Sequence, residues 1–192
     1  MLLFDGCAGL FLVRLFTGIF KKFLLRTAVM KIPYVLQITD ASCSAAVLEM
    51  ILRSIGIPRS QKQIIRRLNF DDSGATNSSL SRFLDRLSIP HTVYAQKYLG
   101  DRDHPATLLK SKVFAHLLAE LDQGKMVLLN YLDEDDEGHY VLAHRHTTQY
   151  LIVHDPHTLK GPNTRIDKKW FQRRWRSKSG RWKKWFLVIE RK

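Results

Sequence analysis

The chain has 192 residues, 45% of them hydrophobic, and a formal net charge of +13. That length suits one domain, which buries roughly two-thirds of its unfolded surface and needs no covalent staple. With only Cys7 and Cys43, thirty-six residues apart, a disulfide framework is disfavoured and a reducing compartment expected. The charge is uneven, because from Lys160 to Lys192 thirteen Lys or Arg face only Asp167 and Glu190. Such a block attracts phosphate backbones, anionic lipid or an acidic protein without selecting among them.

Residues 1–30 are apolar but interrupted. Asp5, Arg14, Lys21 and Lys22 leave uncharged runs of eight residues from Gly6 and six from Leu15, against the roughly 20 that a spanning helix needs. A secretory signal is disfavoured, since no Lys or Arg precedes the apolar part and Asp5 intrudes there. As a helix the segment gathers Arg14, Lys21, Lys22 and Arg26 within roughly 140° of arc. Three readings stay open: a helix packed on the domain, an amphipathic helix in a membrane interface, and an upstream extension of a protein that functionally begins at Met30.

Further along, Ala46, Val47, Met50, Ile51 and Ile55 recur at helical spacing from Ser42, and Gly56 and Pro58 stop the pattern. Ser60–Leu68 and Ser78–Leu87 each open on a Ser N-cap and read as short amphipathic helices, with loop between them. His91–Gln96 is short and β-rich. Lys112–Gln123 is helical in spacing and closed by Gly124. Met126–Leu132, Tyr140–His144, Gln149–His154 and Trp185–Glu190 read as strands of one sheet. Helices first and an antiparallel-looking sheet afterwards make an α+β plan, with the N-terminal helical part packed on the sheet.

Four residues carry the chemistry. Cys43 starts a helix just after Asp40 and Ser42, where unpaired N–H groups and the helix dipole favour a thiolate. His139 opens a strand after Gly138, and Asp155 ends the next strand before Pro156. Two strands joined through Thr147 and Thr148 run antiparallel, so the start of one lies beside the end of the other. A carboxylate there fixes the imidazole tautomer and leaves the other ring nitrogen for Cys43. Gln37, six residues before the cysteine, can donate to an oxyanion together with the Cys43 backbone N–H. Taken singly, each has an ordinary reading: a buried thiol, a surface histidine, an Asp-Pro turn, an isolated glutamine.

The stretch QITDASCSAAVLEMILRSIGI resembles the opening of the bacteriocin-processing, double-glycine-leader peptidases, and GHYVLAHRHTTQYLIVHDPHTLKG resembles their His and Asp-Pro strands. RIDKKWFQRRW is similar to their late segment, so the likeness spans roughly Ile32 to Ile189. It implies a papain-like cysteine peptidase fold over residues 31–192, with Cys43 as nucleophile, His139 as base, Asp155 as orienter and Gln37 in the oxyanion hole. Ser44 and Ala45 stand where relatives usually carry Gly and a second small residue. A stand-alone form without ABC exporter domains is expected.

The expected function is peptide-bond hydrolysis through a Cys-His-Asp triad and a thioester acyl-enzyme, with no cofactor and no metal. Two other classes compete: a catalytically weak papain-like domain that docks on anionic surfaces, and a thiol acyltransferase or amidase. His144 and His146 alternate by two on a strand and so would share a face, but no compact ligand quartet accompanies them. The acidic run Asp133–Glu137 reads as a solvated loop; beside a cleft it would favour a basic substrate and raise the His139 pKa. The four tryptophans among the C-terminal cations are read as packing residues, with charges facing water. Expected partners are a peptide or protein substrate and an anionic membrane surface; nucleic acid is not expected, for want of a recognition motif. The expected location is cytoplasmic and peripheral to the membrane.

Overall fold

The computed structural model describes residues 31–68, 70–71, 74–99, 106–109 and 111–190. The chain divides into two units, Met1–Lys31 and Ile32–Lys192; the expected leader lies outside the described residues, and every element below belongs to the second unit.

A 3-10 turn over Asp40–Ser42 runs directly into helix α1, Cys43–Ser54. The periodicity predicts one apolar face, yet every residue from Cys43 to Leu52 is buried, as expected for a helix placed inside a domain rather than on it. Its one acidic residue, Glu49, accepts from the Gln61 backbone N–H at 2.9 Å and pairs with Arg53. Helix α2 is shorter than expected, Gln61–Ile65, and Ser60 with Gln63 caps it reciprocally. Two-residue strands β1 (Phe70–Asp71) and β2 (Gly74–Ala75) pair with each other. Helix α3, Asn77–Arg86, is capped by Thr76, whose hydroxyl accepts from Ser79 N–H at 3.2 Å, and not by Ser78 as the pattern predicts.

Strands β3 (His91–Ala95), β4 (Lys97–Tyr98) and β5 (Ala106–Leu108) precede helix α4, Val113–Asp122. Then follow β6 (Met126–Leu132), β7 (Gly138–His146), β8 (Tyr150–Asp155), β9 (Gly161–Asp167), helix α5 (Lys168–Arg174), β10 (Trp182–Lys183) and β11 (Phe186–Ile189). Seven strands form one sheet in the order β5-β3-β11-β6-β7-β8-β9. All its pairs are antiparallel except β3 with β5, which run parallel, so the purely antiparallel expectation is corrected at that edge.

The fold is α+β. Val113, Leu117 and Leu121 of α4 and Phe171 of α5 share a buried cluster with Val127, Leu129, Val141, Val153 and Phe186 of the sheet. Trp175, Trp182 and Trp185 are also buried, and the Trp175 indole N–H donates to the Trp185 carbonyl at 2.8 Å. The tryptophans therefore pack as the sequence reading has them, while Arg173, Arg176 and Arg181 stay exposed. No helix among the described residues is long and apolar enough to cross a membrane.

Candidate active site

Cys43 enters the site from the N-terminal end of α1, and His139 and Asp155 from adjacent strands. Leu142 lies opposite His154 in the β7:β8 pair, which sets His139, near the start of β7, beside Asp155 at the end of β8. The His139 Nε2 to Asp155 Oδ1 distance is 2.7 Å, both residues are buried, and the same carboxylate oxygen accepts from the His157 backbone N–H at 3.0 Å. Tyr34 donates to the Asp155 carbonyl at 2.9 Å, which fixes the end of the strand. Tyr131, opposite His139 in β6, meets the imidazole edge-on with ring centroids 5.8 Å apart.

Cys43 is a free thiol, 5% exposed, and lies close enough to the His139 side chain to act on its protonation. Burial alone presses that imidazole toward its neutral form. The hydrogen bond to Asp155 and the neighbouring Cys43 side chain outweigh burial and raise its pKa to about 10. The charged imidazole is thus favoured, with the Asp155 carboxylate behind it. The acidic run 133–137 is not what raises His139: Asp136 is paired with Arg174, Glu134 with Lys160 and Glu137 with Lys178.

Gln37 is brought to the same place by its backbone, whose N–H donates to the Pro156 carbonyl at 2.9 Å, just past Asp155. Its side chain is buried; Nε2 donates to the Asp40 carbonyl at 3.3 Å, and Oε1 has no partner among the described residues. One amide hydrogen remains uncommitted. Ser42 stands at the N-cap position of α1 without a side-chain cap bond; its hydroxyl turns back to accept from the N–H groups of Ile38 and Thr39 at 3.1 and 2.9 Å and ties the Gln37 loop to the helix start. Ser44 is fully buried, so its side chain points into the protein.

Two residues that the sequence does not single out support this arrangement. Gln61 reaches from α2 to donate to the Leu36 carbonyl at 2.6 Å and accept from the Ile38 N–H at 3.2 Å, gripping the chain on both sides of Gln37. Gly74, at φ +93°, brings β2 so near the 3-10 turn that a Cβ there would stand 2.8 Å from the Ala41 carbonyl oxygen.

The histidine pair read as sharing a face does not. A bulge between Ala143 and Arg145 shifts the register, so His144 packs against His154, rings tilted by 42° with centroids 4.6 Å apart, while His146 meets Asp122 of α4 at 3.0 Å. Among the described residues no group of three or more His, Cys, Asp or Glu side chains is placed to hold a metal ion.

An α1-borne thiol facing a strand-borne imidazole across a papain-like α+β fold defines the class of the cysteine-type peptidases. Residues 29–181 match the Peptidase_C39 like family, and the chain belongs to that family. The peptidase domain of Streptococcus ComA, a bifunctional ABC transporter of a quorum-sensing pathway, superposes with a TM-score of 0.62 at 16% identity, over 83% of this chain and 99% of that one. A C39-like peptidase from Bacillus anthracis gives 0.60 at 14% identity over 85% and 96%. A double-glycine motif protease from an AMS/PCAT transporter, solved with its leader peptide, gives 0.54 at 15% identity over 85% and 93%. At these identities the likeness is one of fold. A search of curated proteins returns no match.

Proposed function

We propose that this cysteine peptidase hydrolyses peptide bonds through Cys43, His139 and Asp155, with Gln37 completing an oxyanion hole. The observation that carries the reading is the line from the Cys43 thiol through the His139 ring to Asp155 Oδ1, with the imidazole shifted up to about 10. The thiolate attacks the scissile carbonyl carbon, and the oxyanion takes a hydrogen bond from the free Gln37 amide hydrogen and the Cys43 backbone N–H. The His139 imidazolium then gives its proton to the leaving amine, and a thioester remains on Cys43. Neutral His139 takes a proton from water as it attacks the thioester, which releases the acid and restores the ion pair. Asp155 holds the ring in the one tautomer that serves both steps.

The substrate is a peptide or protein. One structural relative is a double-glycine motif protease from an AMS/PCAT transporter, solved with its leader peptide, and a double-glycine leader is the first substrate type to offer. Profiling of a mixed peptide library by mass spectrometry should show cleavage with the unmodified protein and none with Cys43→Ala. A thiol-directed electrophilic probe should label the first and not the second. Equal labelling of both would remove Cys43 from the reaction, and a library untouched by either would turn the reading toward the acyltransferase or amidase alternative.

A further inference from the structure

Beside the His139 end of the site lies a cavity of about 400 Å³ that the proposed chemistry does not use. Strand β7 separates it from the imidazole: Gly138 and Tyr140, on either side of His139, line it, as does Asn130, whose amide donates to the His139 carbonyl at 3.3 Å, so it lies on the face of β7 away from the His139 ring. Its rim carries Arg82, Lys178 and Arg181 against a single carboxylate, Glu137, and that carboxylate is already paired with Lys178. Arg82 and Arg181 are exposed, and their guanidinium groups have no acidic partner among the described residues.

The N-terminus of α3, a ten-residue helix, opens into the same space through Thr76, Asn77 and Ser78, which adds the positive end of a helix dipole. A buried side chain points to a ligand independently. Asn77 is 3% exposed and its Oδ1 takes the Tyr140 hydroxyl hydrogen at 2.5 Å, while its Nδ2 is a buried donor with no partner. A buried donor left unpaired costs about 1–3 kcal/mol, and Asn77 is among the residues that line the cavity.

We propose that this cavity is an anion subsite that takes a carboxylate of the peptide substrate across β7 from His139, between Arg82 and Arg181, with the α3 N-terminus behind it. The subsite rests on the peptidase reading for the nature of its ligand. It also reverses the preference expected from the acidic run: the five carboxylates of residues 133–137 lie next to the site in sequence, but the unpaired charge at the cavity is positive.

Binding separates the subsite from the chemistry. Cys43→Ala protein is titrated with fluorescein-labelled, end-capped octapeptide mixtures that fix Glu or Gln at each position in turn, and with neutral octapeptides bearing a free or amidated C-terminus. At one position, or at the free terminus, the carboxylate form should bind about tenfold more tightly than its amide counterpart, and the advantage should shrink as salt rises. Whichever arm responds names the carboxylate as side chain or chain terminus. Arg82→Gln with Arg181→Gln should bring the two affinities together. Equal binding of acid and amide forms throughout overturns the subsite, and so does an advantage that survives both salt and the double substitution. Cleavage of the same peptides by the unmodified protein reports on the peptidase reading separately.

Discussion

Asp155 Oδ1 accepts from two donors, the His139 ring at 2.7 Å and the His157 backbone N–H at 3.0 Å. An asparagine at 155 would be held by the second donor with its oxygen still facing the imidazole, so geometry survives while charge is lost. Asp155→Asn should therefore lose about tenfold in kcat and Asp155→Ala about 10²–10⁴-fold; equal losses would mean that orientation through Oδ1 is not the role of this residue. The pH profile carries a second signature. The His139 pKa is raised from 6.5 to about 10, so the ion pair stabilises the fold fully below about 6.5 and loses that contribution as pH rises through about 10. Asp155→Asn should draw the alkaline limit of kcat/KM downward. His144 has the opposite sign: burial, then the neighbouring His154 and Arg145, lower its pKa from 6.5 to about 4. Its contribution is present above about 6.5 and lost as pH falls through about 4. His144→Phe, which keeps the packing against His154 without a titrating ring, should melt with a shallower acid dependence between those values, and an unchanged slope would exclude His144 as the source.

Among the elements, the short segment before α1 matters as much as the helix itself. Gln61 binds the Leu36 carbonyl and the Ile38 N–H, Ser42 binds the Ile38 and Thr39 N–H groups, and Pro156 accepts from Gln37 N–H. Gln61→Ala strips two backbone groups of a buried partner, at about 2–4 kcal/mol in stability. It should lower kcat by freeing Gln37 yet leave Cys43 labelling by an electrophile intact, since the thiol and imidazole are held by other elements. Loss of labelling in a folded variant would contradict that division. The helix that presents Cys43 and the hairpin that seats His139 beside Asp155 were legible because apolar periodicity and turn residues mark both. Gln61 was not legible, because a glutamine after a Ser cap looks the same whether it faces solvent or a neighbouring loop. Strand β9, Gly161–Asp167, was missed for a related reason: it is an edge strand in which Pro162, Asn163 and Arg165 are exposed and Ile166 is a lone buried hydrophobe. The parallel β3:β5 pairing and the β7 bulge likewise arise from tertiary pairing, which local pattern does not encode.

Over the whole molecule, the last strand in sequence, β11, is an interior strand of the sheet. β11 lies between β3 and β6, pairing Phe186 with Tyr94 on one side and Leu129 on the other. Phe186, Leu187, Val188 and Ile189 are 0–1% exposed, so both faces of this strand are covered. The helices and strands that carry Gln37, Cys43, His139 and Asp155 all precede it, yet the two halves of the sheet meet only through it. Four buried side chains at about 1.5–3 kcal/mol each amount to roughly 6–12 kcal/mol, the same size as the whole stability of a typical domain. The ladder hydrogen bonds that β3 and β6 lose would add to that. A chain ending at Trp185 should therefore show no cooperative thermal transition, and its Cys43 should react with a thiol probe at the rate of an unfolded thiol rather than that of an activated one. A truncated chain that still melts cooperatively and keeps the fast reaction would show that the site is built by the first 185 residues alone. Because β11 joins β3 to β6, the same arrangement predicts that the thiol acquires its reactivity only once residues 186–189 have joined the sheet, a point that pulsed probe labelling of refolding protein resolves by comparing its time course with that of tryptophan fluorescence.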